Sequence, residues 1–263
     1  MEWLSSQQVW VLVIGCLAIG LAVAFLSRVV VLKFMPSHER AEAHAIAAAL
    51  MTAFAAAFVL LTALTLANEV NSLGSAQTIV SAEAADASTL AWSSTNPGVD
   101  PRPIQAALHN YLVATRTYEW HGAAAANGDD LATANALAVL ERTVRDQASR
   151  PAIAGPTSTE LLTNLDALTS QRRLRLAAAG HSIPDFYAVL VIVTGLALIV
   201  NTSVVSIRGG IRATIVTLSL TVVIALSVAL LFSLATPWRG AIEVSGHPID
   251  AVIKDLNINY FQR

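Results

Sequence analysis

Four stretches of the chain are almost entirely apolar and long enough to cross a membrane as helices. A bilayer core of about 30 Å requires roughly 20 apolar residues in a helix. The stretches cover approximately residues 9–26, 45–67, 186–200 and 213–235, and their cores contain no Asp, Glu, Lys, Arg or His. Because proton-coupled transporters usually need an ionisable group within the membrane, this pattern argues against active transport by the chain alone.

The segment between the second and third spans is more polar and repeats its apolar residues at helical spacing. The stretches "NPGVDPRP", "NGDD" and "RPAIAGP" interrupt this repeat. Asp100 before Pro101 predicts an N-cap and a first-turn proline, and "TSTE" (157–160) predicts a capping box. We expect a bundle of about four helices here.

These patterns predict an all-α protein with four transmembrane helices and a helical-bundle domain inserted between the second and third spans. The predicted domains are spans one and two (1–67), the bundle (68–183), spans three and four (184–240) and a C-terminal tail with a short helix (241–263).

Basic residues in the short connections between spans predict the orientation. Short cytoplasmic loops are enriched in Lys and Arg, and the two short connections carry Arg28, Lys33, Arg40, Arg208 and Arg212. Both termini and the 68–183 domain are therefore expected to be extracytoplasmic. Four aromatic residues at the outer ends of the spans fit an interfacial belt: Trp3, Trp10, Tyr187 and Trp238.

The overall composition supports the membrane class. The chain is 55% hydrophobic and 13% charged, whereas ordinary soluble domains carry about 25% charged residues. With a net charge of −2, it has no global basic field for nucleic acid. We therefore expect the lipid bilayer as a partner, and no nucleic acid. Usage of Ala, Arg and Thr hints at a bacterial source, and so at the bacterial inner membrane.

Motifs for catalysis and for metal or cofactor binding are missing from the sequence. There is no G-x-S-x-G, Walker loop, H-E-x-x-H or Gly-rich dinucleotide turn. His109, Glu119 and His121 match no familiar metal-ligand spacing. We expect no enzyme, no metal and no cofactor.

Two features remain as candidate sites. Arg172, Arg173 and Arg175 lie about ten residues before the third span. They are interpreted either as solvated or intrabundle arginines, paired with carboxylates such as Glu119 or Asp166, or as a contact for an anion or a partner. The other feature is a stripe of small residues every four positions in the second span, which lets helices approach closely: Ala45, Ala49, Ala53 and Ala57. It is a candidate packing seam, within the chain or to another protein.

Several motifs carry a family resemblance. "YLVATRTYEW", "SQRRLRLAAAGHSIPDFYAVL" and "ATPWRGAIEVS" occur in this order, and "VSAEAADASTL" follows the second span. Together they resemble the bacterial bestrophin-like membrane family of unknown function over about residues 41–250. Tyr187 replaces the usual Trp, and Trp238 the usual Phe. The matching positions are Glu119, Trp120, Arg172, Arg173, Arg175, Pro184, Pro237 and Gly240.

The resemblance implies four membrane helices and a distant relation to bestrophins, which are pentameric anion channels. It supplies no catalytic or pore residues. Two functions follow as hypotheses. The first is a non-enzymatic accessory or assembly subunit of a larger cell-envelope transport complex, with membrane-protein partner subunits. The second is a homo-oligomeric, bestrophin-like anion channel.

Overall fold

In this computed structural model the described residues are 9–36, 39–120, 124–128, 130–180, 184–234, 238 and 243–262. Every regular element within these ranges is a helix, and no strand occurs among them. The predicted all-α class is confirmed. Four helices are long and apolar enough to cross a membrane, so the four predicted spans are confirmed too.

The helices follow one another along the chain with short connections. In chain order they are α1 (Val9–Phe34), α2 (Glu39–Ser93), α3 (Pro101–Tyr118), α4 (Ala124–Asn127), α5 (Leu131–Ala148), α6 (Gly155–Ala179), α7 (Asp185–Val205), α8 (Ile211–Leu234) and α9 (His247–Asn257). Short 3₁₀ turns follow α7 and α9 at Ser206–Arg208 and Tyr260–Gln262.

The described residues form two compact units. The first, here called the membrane unit, consists of those within Met1–Asn71 and Ser182–Thr236. The second, here called the bundle, consists of those within Ser72–His181 and Glu243–Arg263, together with Trp238. The long helix α2 therefore contributes its first part to the membrane unit and its second part to the bundle.

Packing within the membrane unit centres on α7 and α8. Helix α1 packs against both of them, and they pack against each other. Phe58 of α2 is buried in a cluster that includes Val191 and Ile224, and the Asn201 side chain donates to the Ala47 carbonyl at 2.8 Å. In the most apolar 18-residue stretch of each span, only 11% of the residues are buried in α1 and in α2, whereas 44% are buried in α7 and 39% in α8. Most of the apolar surface of α1 and α2 is thus left for lipid or another protein to cover.

The bundle has an apolar core built from all its longer helices. Helix α3 packs against α5 and α9, and α6 packs against α5 and the short α4. The core includes Leu90 of α2, Leu108 of α3, Leu140 of α5, Leu165 of α6 and Ile249 of α9. The predicted short helix of the C-terminal tail is therefore α9, and it packs on the bundle.

Local sequence signals set two of the helix starts in the bundle. The Asp100 side chain accepts a hydrogen bond from the Arg102 amide at 3.2 Å, with Pro101 in the first turn of α3. Asp130 caps α5 in the same way, accepting from the Thr133 amide at 2.9 Å. Gly128, with φ +63°, takes a left-handed conformation that favours glycine. The interruptions predicted at these two places are confirmed.

The predicted capping box at 157–160 is wrong. Helix α6 already begins at Gly155, and its N-cap, Ala154, has no side-chain hydrogen bond. Pro156 stands in the first turn, where a proline's missing amide leaves no hydrogen bond unmade. The Ser158 hydroxyl instead donates to the Ala148 carbonyl of α5 at 2.8 Å. Because α6 begins at Gly155, Thr157, which the pattern assigns to the N-cap, lies inside the first turn of the helix.

Candidate functional site

The bundle contains a buried cluster of two glutamates and two arginines, here called the ionic cluster: Glu83, Glu119, Arg172 and Arg175. Glu83 lies on α2, Glu119 directly follows α3, and the two arginines lie on α6. Arg172 and Arg175 are three residues apart, a spacing that places side chains on one helix face. The side chains of Glu83, Glu119 and Arg175 are 0% exposed, and that of Arg172 is 12% exposed.

Glu119 binds both arginines. Its Oε2 accepts from Arg172 Nε and from Arg175 Nη2, each at 3.2 Å, and its Oε1 accepts from Arg172 Nη2. The Glu119 backbone carbonyl also accepts from Arg175 Nη1 at 3.4 Å. Planar guanidinium groups suit such paired contacts with a carboxylate. This one carboxylate therefore fixes the end of α3 to α6.

Glu83 joins α2 to the same arrangement. Its Oε2 accepts from Arg175 Nε at 2.7 Å, and its Oε1 accepts from the Tyr111 hydroxyl at 2.8 Å. Each carboxylate oxygen of the ionic cluster thus has a donor, as buried charges require. Three helices, α2, α3 and α6, meet at Arg175.

Burial and the Glu83 charge shift the pKa of Tyr111 in the same direction, but they act against each other on the pKa of Arg175. Burial raises the pKa of Tyr111, and the neighbouring Glu83 carboxylate raises it further. Burial by itself would lower the pKa of Arg175, but the negative charge of Glu83 and the nearby Glu119 raise it overall. Arg175 therefore stays charged, and Tyr111 stays a neutral hydrogen-bond donor at physiological pH.

Aromatic rings cover the ionic cluster on one side. The Arg175 guanidinium lies 5.8 Å from the Trp120 ring centroid, and that of Arg116 lies 4.5 Å from it. Trp238 meets Trp120 edge to face with centroids 5.1 Å apart. Arg116 also pairs with Asp250 of α9 at 2.7 Å. Cations over an indole ring are attracted to its electron-rich face, so Trp120 links the cluster to α9.

The ionic cluster is electrically neutral, with two positive and two negative side chains. Its hydrogen bonds are directed inward, between helices of the bundle. This arrangement fixes helices relative to one another, and it offers no free guanidinium for an external anion at Arg172 or Arg175. Of the three predicted arginines only Arg173 is exposed, and the predicted carboxylate Asp166 is exposed on α6 as well.

Two partners in this site were missed by the sequence analysis: Glu83 and Tyr111. A signal for Glu83 exists, because it shares a helix face with buried residues three or four positions apart. Ala76, Val80, Ala87 and Leu90 are those residues. A lone carboxylate within an otherwise apolar stripe predicts a buried charge with a partner, but it does not identify that partner.

Within the described residues, the alanine stripe lies mostly on the exposed surface of α2. Ala45, Ala49 and Ala53 are exposed and Ala57 is partly exposed. A different face of α2 makes the internal contacts, through Ala47 and Phe58.

The remaining predicted residues are those of the family motifs and the aromatic residues at the span ends. Pro184 precedes α7 as its N-cap residue, and Trp10 and Tyr187 are exposed at span ends. Trp238 is 2% exposed and packs on Trp120, so its assignment to the interfacial belt is wrong. Trp3, Pro237 and Gly240 lie outside the described residues.

Hydroxyls in the spans are used for local backbone contacts. Thr217 and Thr221 of α8 donate to the carbonyls four residues before them, at 3.0 and 2.8 Å. Thr214 accepts from Arg28 of α1 at 3.1 Å. Across the described residues, no group of three or more His, Cys, Asp or Glu side chains is arranged to hold a metal ion.

Comparison with protein families identifies the chain. The model of the Bestrophin-like domain matches residues 18–249, which include most of α1, the other three spans and the ionic cluster. The chain belongs to the bestrophin-like family. It is accordingly a multi-pass membrane protein in contact with the lipid bilayer.

Among solved structures, the crystal structure of a membrane protein is 14% identical, with 95% of this chain and 97% of that chain covered and a TM-score of 0.46. No curated protein matches the chain.

Proposed function

We propose that this bestrophin-like chain is a non-enzymatic subunit of a homo-oligomeric membrane assembly that conducts anions. The observation that carries the proposal is the exposed alanine stripe on α2, in a chain of a family related to anion channels. Small residues at four-residue spacing let helices from different copies approach closely, and van der Waals packing then stabilises their association in lipid.

In this proposal α2 provides both the contact between copies and an apolar neck for the pathway. Its exposed residues include Ala49, Leu60 and Leu64. Apolar constrictions are a known means of gating, because they dewet. Since Arg172 and Arg175 are bound within the bundle, anions would be attracted by other basic residues, with Arg173 as one exposed candidate.

Ala49→Trp tests the contact between copies. The bulky ring would separate neighbouring helices, and Val59→Trp is the matched control because Val59 is exposed on α2 outside the stripe. We expect Ala49→Trp to weaken oligomerisation by at least about tenfold, equivalent to roughly 1.4 kcal/mol, as read by native mass spectrometry. We expect chloride flux from vesicles to fall with it. A monomeric wild-type protein, or equal effects of the two variants, would contradict the proposal.

A second candidate is an accessory or assembly subunit of a larger cell-envelope transport complex. The observations in its favour are the neutral ionic cluster and the span hydroxyls that donate to their own backbone. Both leave little polar or charged surface for conduction by this chain alone. In this case the alanine stripe would contact a different protein.

Purification separates the two candidates. A tagged chain recovered from native membranes with other subunits in fixed stoichiometry, and giving no chloride flux when reconstituted alone, supports the accessory role. Recovery of the chain alone, as an oligomer that conducts chloride, supports the channel.

We further propose that the termini and the bundle are extracytoplasmic in a bacterial inner membrane. The basic residues of the short connections, such as Lys33 and Arg212, support this orientation. A single cysteine placed at the exposed Arg173 in a Cys16→Ser background should react with a membrane-impermeant maleimide in intact spheroplasts. A cysteine at Lys33 should react only after the membrane is opened, and the reverse pattern would overturn the orientation.

A further inference from the structure

A cleft of about 390 Å³ opens in the membrane unit between α1, α7 and α8. Its lining is apolar throughout, from three helices that are each able to cross a membrane. The residues that shape it are Gly15, Cys16 and Gly20 of α1, Gly195 of α7, and Ala225 and Phe232 of α8. Its volume falls in the range of about 300–1,000 Å³ that small-molecule sites occupy.

Glycine residues show where the cleft is open and where it ends. A Cβ added at Gly15 would meet nothing within 4 Å, so the helices leave empty space there. At Gly20 an added Cβ would lie 2.8 Å from the Thr221 methyl, and at Gly195 it would lie 3.1 Å from Ile224. The helices therefore touch at this depth and separate toward the start of α1.

The cleft has the depth of one lipid leaflet. It follows α1 from Val11 to Gly20, which is nine steps of 1.5 Å along the helix axis, or about 14 Å. Half of a bilayer core is about 15 Å. The cleft begins beside Trp10, which is 75% exposed. Phe186, 70% exposed, starts α7 at the same end of the spans. Exposed aromatic residues of this kind mark the boundary of the hydrocarbon region.

We propose that this cleft binds one acyl chain of a membrane lipid, running from the aromatic residues toward the bilayer centre. The wholly apolar lining excludes a polar ligand, because its polar groups would lose their hydrogen bonds to water without replacement. The match between cleft length and leaflet depth selects a lipid chain rather than a compact apolar molecule. A lipid held between α1, α7 and α8 stabilises the contact of α1 with its neighbours.

Photo-crosslinking tests the proposal directly. The full-length protein is placed in vesicles of phosphatidylethanolamine and phosphatidylglycerol that contain a phosphatidylglycerol with a diazirine at mid-chain. Cross-linked residues are then mapped by mass spectrometry. We expect adducts to concentrate on residues around Cys16 and Ala225, and to exceed those on exposed span residues such as Phe25 and Val193 several-fold. Adducts distributed evenly over all exposed span residues would overturn the proposal.

Two variants fill the cleft without an immediate clash: Gly15→Phe and the smaller Gly15→Leu. Both should reduce the cleft adducts several-fold. Ala18→Phe, on the exposed side of α1 and outside the lining, should leave them unchanged. If the Gly15 variants keep the wild-type adducts, no acyl chain enters the cleft. A different result would be that the wild-type protein gives no cleft adducts and that the Gly15 variants form smaller oligomers. In that case a second copy of the chain occupies the cleft, which also overturns the proposal.

Discussion

The helices of the bundle and those of the membrane unit are held together by different kinds of side-chain contact. In the bundle, α2, α3 and α6 are joined by charged and hydrogen-bonded side chains that meet at Arg175. In the membrane unit, α1, α7 and α8 pack through apolar and small residues, and much of the surface of α1 and α2 remains uncovered. The bundle satisfies its own charges, whereas the membrane unit is left to be completed by its surroundings.

This difference separates two kinds of requirement. A buried charge needs a specific partner in a specific geometry, so the ionic cluster determines how the helices of the bundle are arranged. A small-residue stripe permits close approach without selecting one partner, and the proposed contact of the exposed alanine stripe is with another chain. We therefore expect the bundle to fix the arrangement of helices within one chain, and the membrane unit to associate with other chains.

The largest expected effect comes from Glu119→Gln. This change leaves Arg172 and Arg175 with a single carboxylate, Glu83, in a buried site, and breaking a buried ion pair destabilises by about 3–5 kcal/mol. Thermal unfolding in detergent, followed by tryptophan fluorescence, should show a strongly lowered midpoint. Asp166→Asn is the control, because Asp166 is exposed and surface changes usually stay within about 0.5 kcal/mol. Equal shifts in both variants would refute a structural role for the cluster.

A double variant examines whether charge balance matters more than the contacts themselves. Arg175→Met alone leaves two glutamates facing one arginine, with an expected loss of about 3 kcal/mol or more. Adding Glu83→Gln restores neutrality, because Glu119 and Arg172 remain as a pair. The double variant should therefore unfold at a higher temperature than Arg175→Met, and strictly additive losses would argue against this explanation.

Tyr111→Phe should have a smaller effect that depends on pH. The variant leaves Glu83 Oε1 without its donor, a loss of about 1.5–3 kcal/mol at neutral pH. Burial and Glu83 raise the pKa of Tyr111, whereas an unfolded tyrosine titrates near 10. The stabilisation is thus complete below about pH 10 and is lost as the pH rises through the folded pKa.

Unfolding midpoints measured between neutral pH and pH 11 provide the check. The difference between wild type and Tyr111→Phe should narrow above about pH 10. Tyr118→Phe, at an exposed position outside the ionic cluster, is the matched control. A constant difference for Tyr111→Phe would show that Tyr111 does not titrate differently in the folded and unfolded chain.

The smallest effects come from two glycines of the bundle. Gly74 lies within α2, and a Cβ there would meet nothing within 4 Å, so Gly74→Ala should stabilise by about 0.5–1 kcal/mol. At Gly246 a Cβ would clash with the Arg116 guanidinium group. Gly246→Ala should therefore displace Arg116 from Asp250 and lower the unfolding midpoint. A Gly246→Ala midpoint equal to or above that of the wild type would contradict the close packing at Arg116.

Features that depend on neighbouring residues were predictable from the sequence. The four spans follow from continuous apolar stretches, and the starts of α3 and α5 follow from Asp100 and Asp130. The capping box failed because α6 begins earlier, at Gly155, so that Thr157 lies inside the helix. The pairing of Arg175 with Glu83, 92 residues away, has no local signature. Pairing of the arginines with Glu119 was among the alternatives that the sequence offered, but Glu83 as a partner depends on how the helices pack.

The separation of these partners has a consequence for how the chain is made. Ribosomes add about 5–20 residues per second, so Glu83 emerges on the order of 5–18 s before Arg175 at that rate. Glu119 is synthesised within this interval, and neither glutamate of the ionic cluster has an arginine partner until Arg172 follows. The bundle therefore completes its charge pairing only after α6 has been synthesised, and a chain that stops between Glu119 and Arg172 carries two uncompensated carboxylates. Such truncated chains would be natural targets for quality-control proteases.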